Sequence, residues 1–444
     1  MSETISIRNI NRLAVPAIIS GIAEPLLSIT DTAIIGNIDD YATESLAAVG
    51  IVGTFLSMLI WVFGQTRSAI STIISQHLGA NMLNRVKTLP AQAIFIIVSM
   101  SILIIIGTYP ISDSIFRLYN ASGLILDYCV EYYQIRVFGL PFTLFTIGVF
   151  GAFRGLQNTF YPMVIAISGA LLNVVLDFIL VYGINGYVEP MYISGAAYAS
   201  VIAQITMAVI SAIYILKKTP IPLKLILPFN PKIKDFLLMV ANLFVRTVAL
   251  NVTLFFASSF ATSYGKNYIA AYTIGINIWF FGAFLIDGFA SAGNILSGKL
   301  YGKRDYRSMI KLSNRLIVYS ISGGLLMTAI GFLFYKPLGS LFTDETAVLN
   351  EFYNVFWIIL AMQPLCALAF LFDGIFKGLG KMKLLRNLLL ISTFLVFLPI
   401  LFLLDRLDYQ LYAIFIALTF WIVARGLPLL LIFRRLFLPL AQKQ

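Results

Sequence analysis

Apolar runs long enough to cross a bilayer recur along the whole chain, and they constrain its fold more than any other feature. The pattern gives twelve segments, at about 13–38, 46–72, 89–111, 125–153, 160–183, 193–216, 236–262, 268–297, 313–335, 348–376, 388–404 and 409–433. A membrane-spanning helix needs about 20 apolar residues. Twelve use roughly 240, so a chain of 444 residues has short connections and no room for a sizeable soluble domain. Charged residues make up 11% of the sequence, against about 25% in a soluble domain. The first run is long and lacks a small-residue cleavage site, so it reads as a retained helix and not a removable signal peptide.

A formal charge of +11 raises the question of nucleic acid. The positions of the basic residues answer it. The N-terminus, the even-numbered connections and the C-terminal tail carry nearly all of the lysine and arginine outside the spans. The opposite connections carry only Arg117, Lys266, Lys336 and Arg406. Basic loops stay on the cytoplasmic side. The expectation is a multi-pass protein of the cytoplasmic membrane with both termini in the cytoplasm, and no nucleic-acid partner. Cys129 and Cys366 read as isolated buried thiols, with no disulfide or metal site. The single histidine, His77, lies at a predicted helix end and reads as a solvated loop residue. No GxxxxGK[ST] pattern is present, so ATP hydrolysis is not expected. The chain is not read as an enzyme, and no cofactor is expected.

One offset links the two halves of the sequence. Ala47 and Ala270, Gly79 and Gly302, Pro141 and Pro364, and GAFRGL at 151–156 and GIFKGL at 374–379 are all 223 residues apart. Six helices per half is an even number, so the repeats enter from the same side and are parallel. The expected fold is an all-α membrane protein of twelve transmembrane helices in two six-helix lobes related by a parallel internal repeat. The division is 1–216, a cytoplasmic linker at 217–235, and 236–444. Four prolines in KKTPIPLKLILPFNPKIKD prevent the linker from forming a continuous helix. Two lobes joined in this way suit alternating access, with substrate passing near the bilayer midplane.

Carboxylates inside the spans are the candidate working residues. A charge at the bilayer centre costs about 2.5–3.5 kcal/mol on insertion scales. Glu24, Asp31, Asp177, Asp287 and Asp373 lie well within the segments. Glu24 and Asp31 are seven apart and differ by only about 20° around a helix. Asn173 and Asp177 are four apart and also share a face. Such an acid can take up a proton or, helped by oxygen ligands such as Asn173, bind Na⁺. The alternative is a buried ion pair. For Asp287 both readings stand, since Arg246 is on the preceding helix. Asp373 reads as a paired acid near Lys377, and Glu24 is open between the two. The offset carries Asp31 to Leu254 and Asp177 to Ile400, so the acid pair is confined to the first half. Pro16 and Pro25 mark places where the first helix can kink.

These residues resemble the multidrug and toxic compound extrusion (MATE) transporters, in their DinF-like branch. The resemblance rests on LAVPA with Pro16, TDTAIIG at 30–36, LAAVG at 46–50, GLPF at 139–142 and FRGLQNT at 153–159. It continues through LLNVVLDFIL at 171–180, SGAAYAS at 194–200, LFVRTVAL at 243–250 and IDGFASA at 286–292. It implies a cation-coupled antiporter, driven by H⁺ or Na⁺, that exports amphipathic, often cationic organic compounds. Carried over by motif, Asp31, Asn173 and Asp177 form the coupling-ion site and a possible Na⁺ site. Tyr132 lines that cavity, Ser200 keeps a hydroxyl where the family often has threonine, and Pro16 is the helix hinge. Glu24 and Asp287 are possible additional acid sites; Glu24 lies outside the family pattern, and Asp287 matches an acid of the DinF-like branch. A monomer in the lipid bilayer is expected. The alternative is a flippase for lipids or lipid-linked saccharides of the same broad superfamily, which would line its cavity with arginine or lysine for pyrophosphate.

Overall fold

The computed structural model describes residues 6–38, 41–184 and 187–444, with the side chains of 23–29 outside the description. Twelve long helices carry the chain. They are α1 (Ile7–Ile35), α2 (Ala42–Gly79), α3 (Leu83–Thr108), α4 (Gly123–Gly155), α5 (Phe160–Tyr182), α6 (Tyr192–Lys218), α7 (Ile233–Tyr264), α8 (Lys266–Lys303), α9 (Tyr306–Leu333), α10 (Thr346–Gly378), α11 (Met382–Arg406) and α12 (Leu411–Gln442). Each of α2–α12 contains an 18-residue window of mean hydropathy between 1.6 and 2.5. The 29 residues of α1 extend roughly 44 Å at 1.5 Å per residue, more than the hydrocarbon core of about 30 Å. Among the described residues, extended pairing is limited to an isolated bridge between Ile184 and Val188. Helices satisfy their own backbone groups, which is what a lipid solvent demands.

Proline and small residues set the local irregularities. In α4 a 3₁₀ turn at Val137–Gly139 precedes Pro141. In α11 a π-helical stretch at Ser392–Phe397 precedes Pro399. A proline lacks the N–H that the preceding turn would accept from, and a change of helical pitch relieves the mismatch. Pro364 lies inside α10.

The 223-residue offset reappears in helix boundaries. Moved by that amount, Gly123–Gly155 becomes residues 346–378, the bounds of α10. The short helix Ser112–Leu118 is matched by Tyr335–Ser340. Helix contacts repeat too. A Cβ at Gly151 would lie 2.7 Å from the carbonyl oxygen of Arg67, and one at Gly374 would lie 2.1 Å from that of Ala290. A Cβ at Gly155 would meet the Ile74 side chain at 2.6 Å, and one at Gly378 the Asn294 carbonyl oxygen at 2.2 Å. In both halves, glycine lets two helix backbones approach closely, as small residues commonly do in membranes.

Backbone packing divides the chain into two compact units. One contains the chain up to Ile18, Ser75–Asn81 and Leu238–Gln444; the other contains Ile19–Ile74 and Met82–Leu237. The units therefore do not follow the repeat boundary alone. In the first, Ile10, Leu13 and Ala14 of α1 join a core with Leu300, Leu312, Phe372 and Phe433. Gln76 at the end of α2 donates from Nε2 to the Gly378 carbonyl at 2.8 Å. In the second, the segment after α6 is clamped to α3. Buried Gln92 donates to the Ile226 carbonyl at 2.6 Å and accepts from the Asn230 backbone N–H at 2.8 Å. Asn230 Nδ2 donates to the Arg85 carbonyl at 2.8 Å. The division within α1 comes two residues after Pro16.

Close packing at Gly374 gives a direct test. Gly374→Ala is expected to destabilise the protein by about 1–3 kcal/mol through overpacking. Gly323→Ala meets no atom within 4 Å and is expected to be neutral, or stabilising by up to about 1 kcal/mol through helix propensity. Thermal unfolding of the detergent-solubilised variants compares the two.

Candidate functional site

Four helices of the second unit bring a polar cluster into an apolar interior. Asp31 comes from α1, Tyr132 from α4, Asn173 and Asp177 from α5, and Ser200 from α6. All five are buried, with Asp177 at 0% exposure. Helical spacing explains the α5 pair, since residues four apart stack on one face. The end of α5 is tied to α1 by Tyr182, whose Oη donates to the Ile34 carbonyl at 2.8 Å. That bond sits one turn from Asp31 and fixes the register of the two acid-bearing helices.

The carboxyl of Asp31 neighbours that of Asp177, and the Ser200 hydroxyl and the Arg136 guanidinium lie close by. Asn173 Nδ2 donates to Ser200 Oγ over a long 3.4 Å, and Arg136 Nε donates to Tyr132 Oη over 3.4 Å. Asp31 Oδ1 and both carboxyl oxygens of Asp177 receive no hydrogen bond. The structure thus brings together Asp31, Tyr132, Asn173, Asp177 and Ser200. It adds Arg136, a basic residue within the fourth apolar segment. Its signal was available: Arg136 follows Tyr132 by four residues, so both face the same way on α4. With both acids ionised and Arg136 charged, the cluster has a net charge of −1. One monovalent cation neutralises it.

The first unit handles buried charge differently. Arg246 on α7 donates from Nη2 to Asp373 Oδ1 at 2.6 Å, and Lys377 Nζ lies 2.8 Å from Asp373 Oδ2. Asp373 is thus a paired acid with two cations. The Arg246 partner expected as one option for Asp287 is engaged here instead, and Asp287 is exposed on α8. Arg425 on α12 lies 4.7 Å from the Trp421 ring centroid and 5.0 Å from that of Phe370. The Glu24 side chain falls outside the described residues. His77 sits in the last turn of α2 and not in a loop. Cys129 and Cys366 are buried free thiols, and the Cys366 sulfur accepts from Trp279 Nε1 at 3.0 Å.

Two stretches, residues 16–179 and 243–403, match the family model MatE, one in each repeat. The chain belongs to the MATE family. Among curated relatives, DNA damage-inducible protein F of Escherichia coli (strain K12) is 27% identical over 429 residues, covering 95% of this chain and 91% of that protein. The probable multidrug resistance protein NorM of Photorhabdus laumondii is 29% identical over 412 residues, covering 89% and 86%. Among solved structures, MATE in the bent conformation superimposes with a TM-score of 0.90 at 21% identity, over 98% of this chain and 96% of that one. The outward-facing conformation of a multidrug resistance MATE family transporter of the MOP superfamily gives 0.85 at 22% identity, over 98% and 96%. MATE proteins are transporters and not enzymes, and the all-helical fold of twelve spans in two lobes agrees with these likenesses.

The Asp373 cluster supports a stability prediction for this MATE transporter. Asp373→Leu leaves Arg246 and Lys377 without their counter-charge and is expected to cost about 3–5 kcal/mol. The double variant Arg246→Met/Asp373→Leu is expected to recover part of that loss, because one of the two uncompensated cations is gone. Unfolding temperatures of wild type, single and double variants check the order.

Proposed function

We propose that this MATE transporter is a proton-coupled antiporter that exports amphipathic organic cations, and that the second unit carries the coupling site. The observation behind this reading is the Asp31–Asp177 pair, whose buried oxygens lack donors. Two adjacent carboxyl groups in low dielectric cannot both remain ionised without a counter-charge. A proton supplies both the charge and the missing donor. Of the two coupling ions H⁺ fits better than Na⁺, because a proton joins two adjacent carboxyl groups directly, by letting one donate to the other, where Arg136 leaves a single negative charge to neutralise.

The mechanism follows from differential binding. A proton can shift the equilibrium between two states only as far as its affinity for them differs. In one state, protonation joins Asp31 to Asp177 and draws α1 toward α5, closing the space that an organic cation occupies. In the other, the pair loses its proton to the cytoplasm and the negative charge attracts the next substrate cation. Pro16, two residues from the division of α1 between the units, is the hinge for that movement. Tyr132, Asn173 and Ser200 orient the carboxyl groups. Glu24 and Asp287 are further candidate acid sites. The relatives named for multidrug resistance and export support the substrate class. The protein works as a monomer in the cytoplasmic membrane with both termini in the cytoplasm.

Reconstitution in liposomes tests the proposal. Efflux of a fluorescent organic cation is expected to follow an imposed pH gradient and not a Na⁺ gradient. Asp31→Asn is expected to lower the driven rate by roughly 5- to 150-fold, the range of a coupling free energy of about 1–3 kcal/mol. Equal driven rates in wild type and Asp31→Asn would overturn the assignment of the site. Efflux driven by Na⁺ alone would overturn the choice of ion.

A further inference from the structure

The first unit buries a guanidinium whose hydrogen-bonding edge has no acceptor. Arg425 of α12 is 3% exposed, and neither Nη1 nor Nη2 has a hydrogen-bond partner. The ends of its helix, Leu411 and Gln442, lie about 21 and 26 Å away along the axis. That is deeper than a side chain snorkels from either end. An ionisable group so far inside a span calls for a functional reading, with a partner to be named.

The surrounding residues hold the two faces of this guanidinium. Phe370 lies against it from α10 and Trp421 from one turn earlier on α12. Trp421 is fixed in turn, because its Nε1 donates to Thr393 Oγ1 at 3.1 Å, and Thr393 belongs to the π-helical stretch of α11. Such stretches are frequent at functional sites. Phe370 leans on Trp279 of α8, with centroids 6.2 Å apart. A Cβ at Gly426 would lie 2.9 Å from that of Ala369, so glycine lets α12 close on α10 beside Phe370. The plane of Arg425 is thus set by packing, while its edge is left open.

Charge points the same way. Among the described residues, the charged neighbours of Arg425 are Arg246 and Asp373. Asp373 is already held by Arg246 and Lys377, so one carboxylate stands among three cations. Stacked rings serve the faces of a guanidinium and offer no acceptor to the N–H groups at its edge. An ordered water accepts a hydrogen bond but brings no charge.

We infer that Arg425 anchors a binding site for an organic carboxylate, taken in the plane of the guanidinium by Nη1 and Nη2 together. The two oxygens of a carboxylate match that fork, and the anion brings the negative charge that the cluster lacks. The rings of Trp279, Phe370 and Trp421 make the surroundings apolar, which favours a carboxylate on an apolar body over a small hydrated ion. The site has the opposite sign to the Asp31–Asp177 pair and belongs to the other unit. It does not rest on the exporter reading.

Benzoate is the probe, with benzamide as its uncharged isostere and chloride as the small-anion control at equal ionic strength. Thermal unfolding of the purified full-length protein in a neutral detergent reads binding, because a ligand of the folded state raises the unfolding temperature with its concentration. Benzoate is expected to stabilise wild type, and benzamide and chloride are not. Arg425→Lys keeps the charge but loses the fork, and is expected to weaken benzoate binding at least tenfold, the scale of a charged hydrogen bond. Arg425→Met is expected to abolish the response, and Arg425→Lys decides the matter if Arg425→Met does not fold. An undiminished benzoate response in either variant, an equal response to benzamide or chloride, or no response in wild type would each overturn the site.

Discussion

A charge taken into hydrocarbon must find a partner, and the two units of this transporter meet that constraint in opposite ways. In the first unit, Asp373 is held by Arg246 and Lys377, and its charge is matched within the fold. In the second, Asp31 and Asp177 share one nearby arginine, Arg136, and three carboxyl oxygens are left without donors. A closed ion pair is fixed in one state. An incomplete one can be completed from outside, which is what the proposed ion coupling needs. Truncating a buried pair is costly, so the first cluster serves as a fixed point. The second is suited to change its charge during the cycle.

The duplication makes this contrast sharper. Backbone spacing is retained between the halves: α4 and α10 have matching bounds, and Gly151 and Gly374 admit neighbouring helices at the same place. The buried acids are not retained. The position of Asp373 is held in the first half by Phe150, and that of Asp31 in the second by Leu254. Selection on packing has kept the scaffold symmetric, while polar substitutions at buried positions have given each half its own task.

Much of the fold was legible because the signals are local. Hydropathy over windows of about 20 residues gave the twelve helices, and the constant offset gave the repeat. The face shared by Asn173 and Asp177 followed from helical spacing alone. What was not legible depends on partners distant in sequence. Arg246 was available to Asp287 or to Asp373, and only the packing of α7 against α10, across 127 residues, decides between them. Arg136 was visible as a residue but not as a neighbour of Asp31, which lies on another helix.

The membership of the N-terminal segment has a consequence for a half-length chain. Residues that open the first repeat, up to Ile18, are built into the unit formed mainly by the second. The linker and the first two residues of the second repeat, up to Leu237, stay with the unit formed mainly by the first. The exchange therefore runs one way, and a second-half chain made alone would lack Ile10, Leu13 and Ala14, which complete its core with Leu300, Leu312 and Phe372.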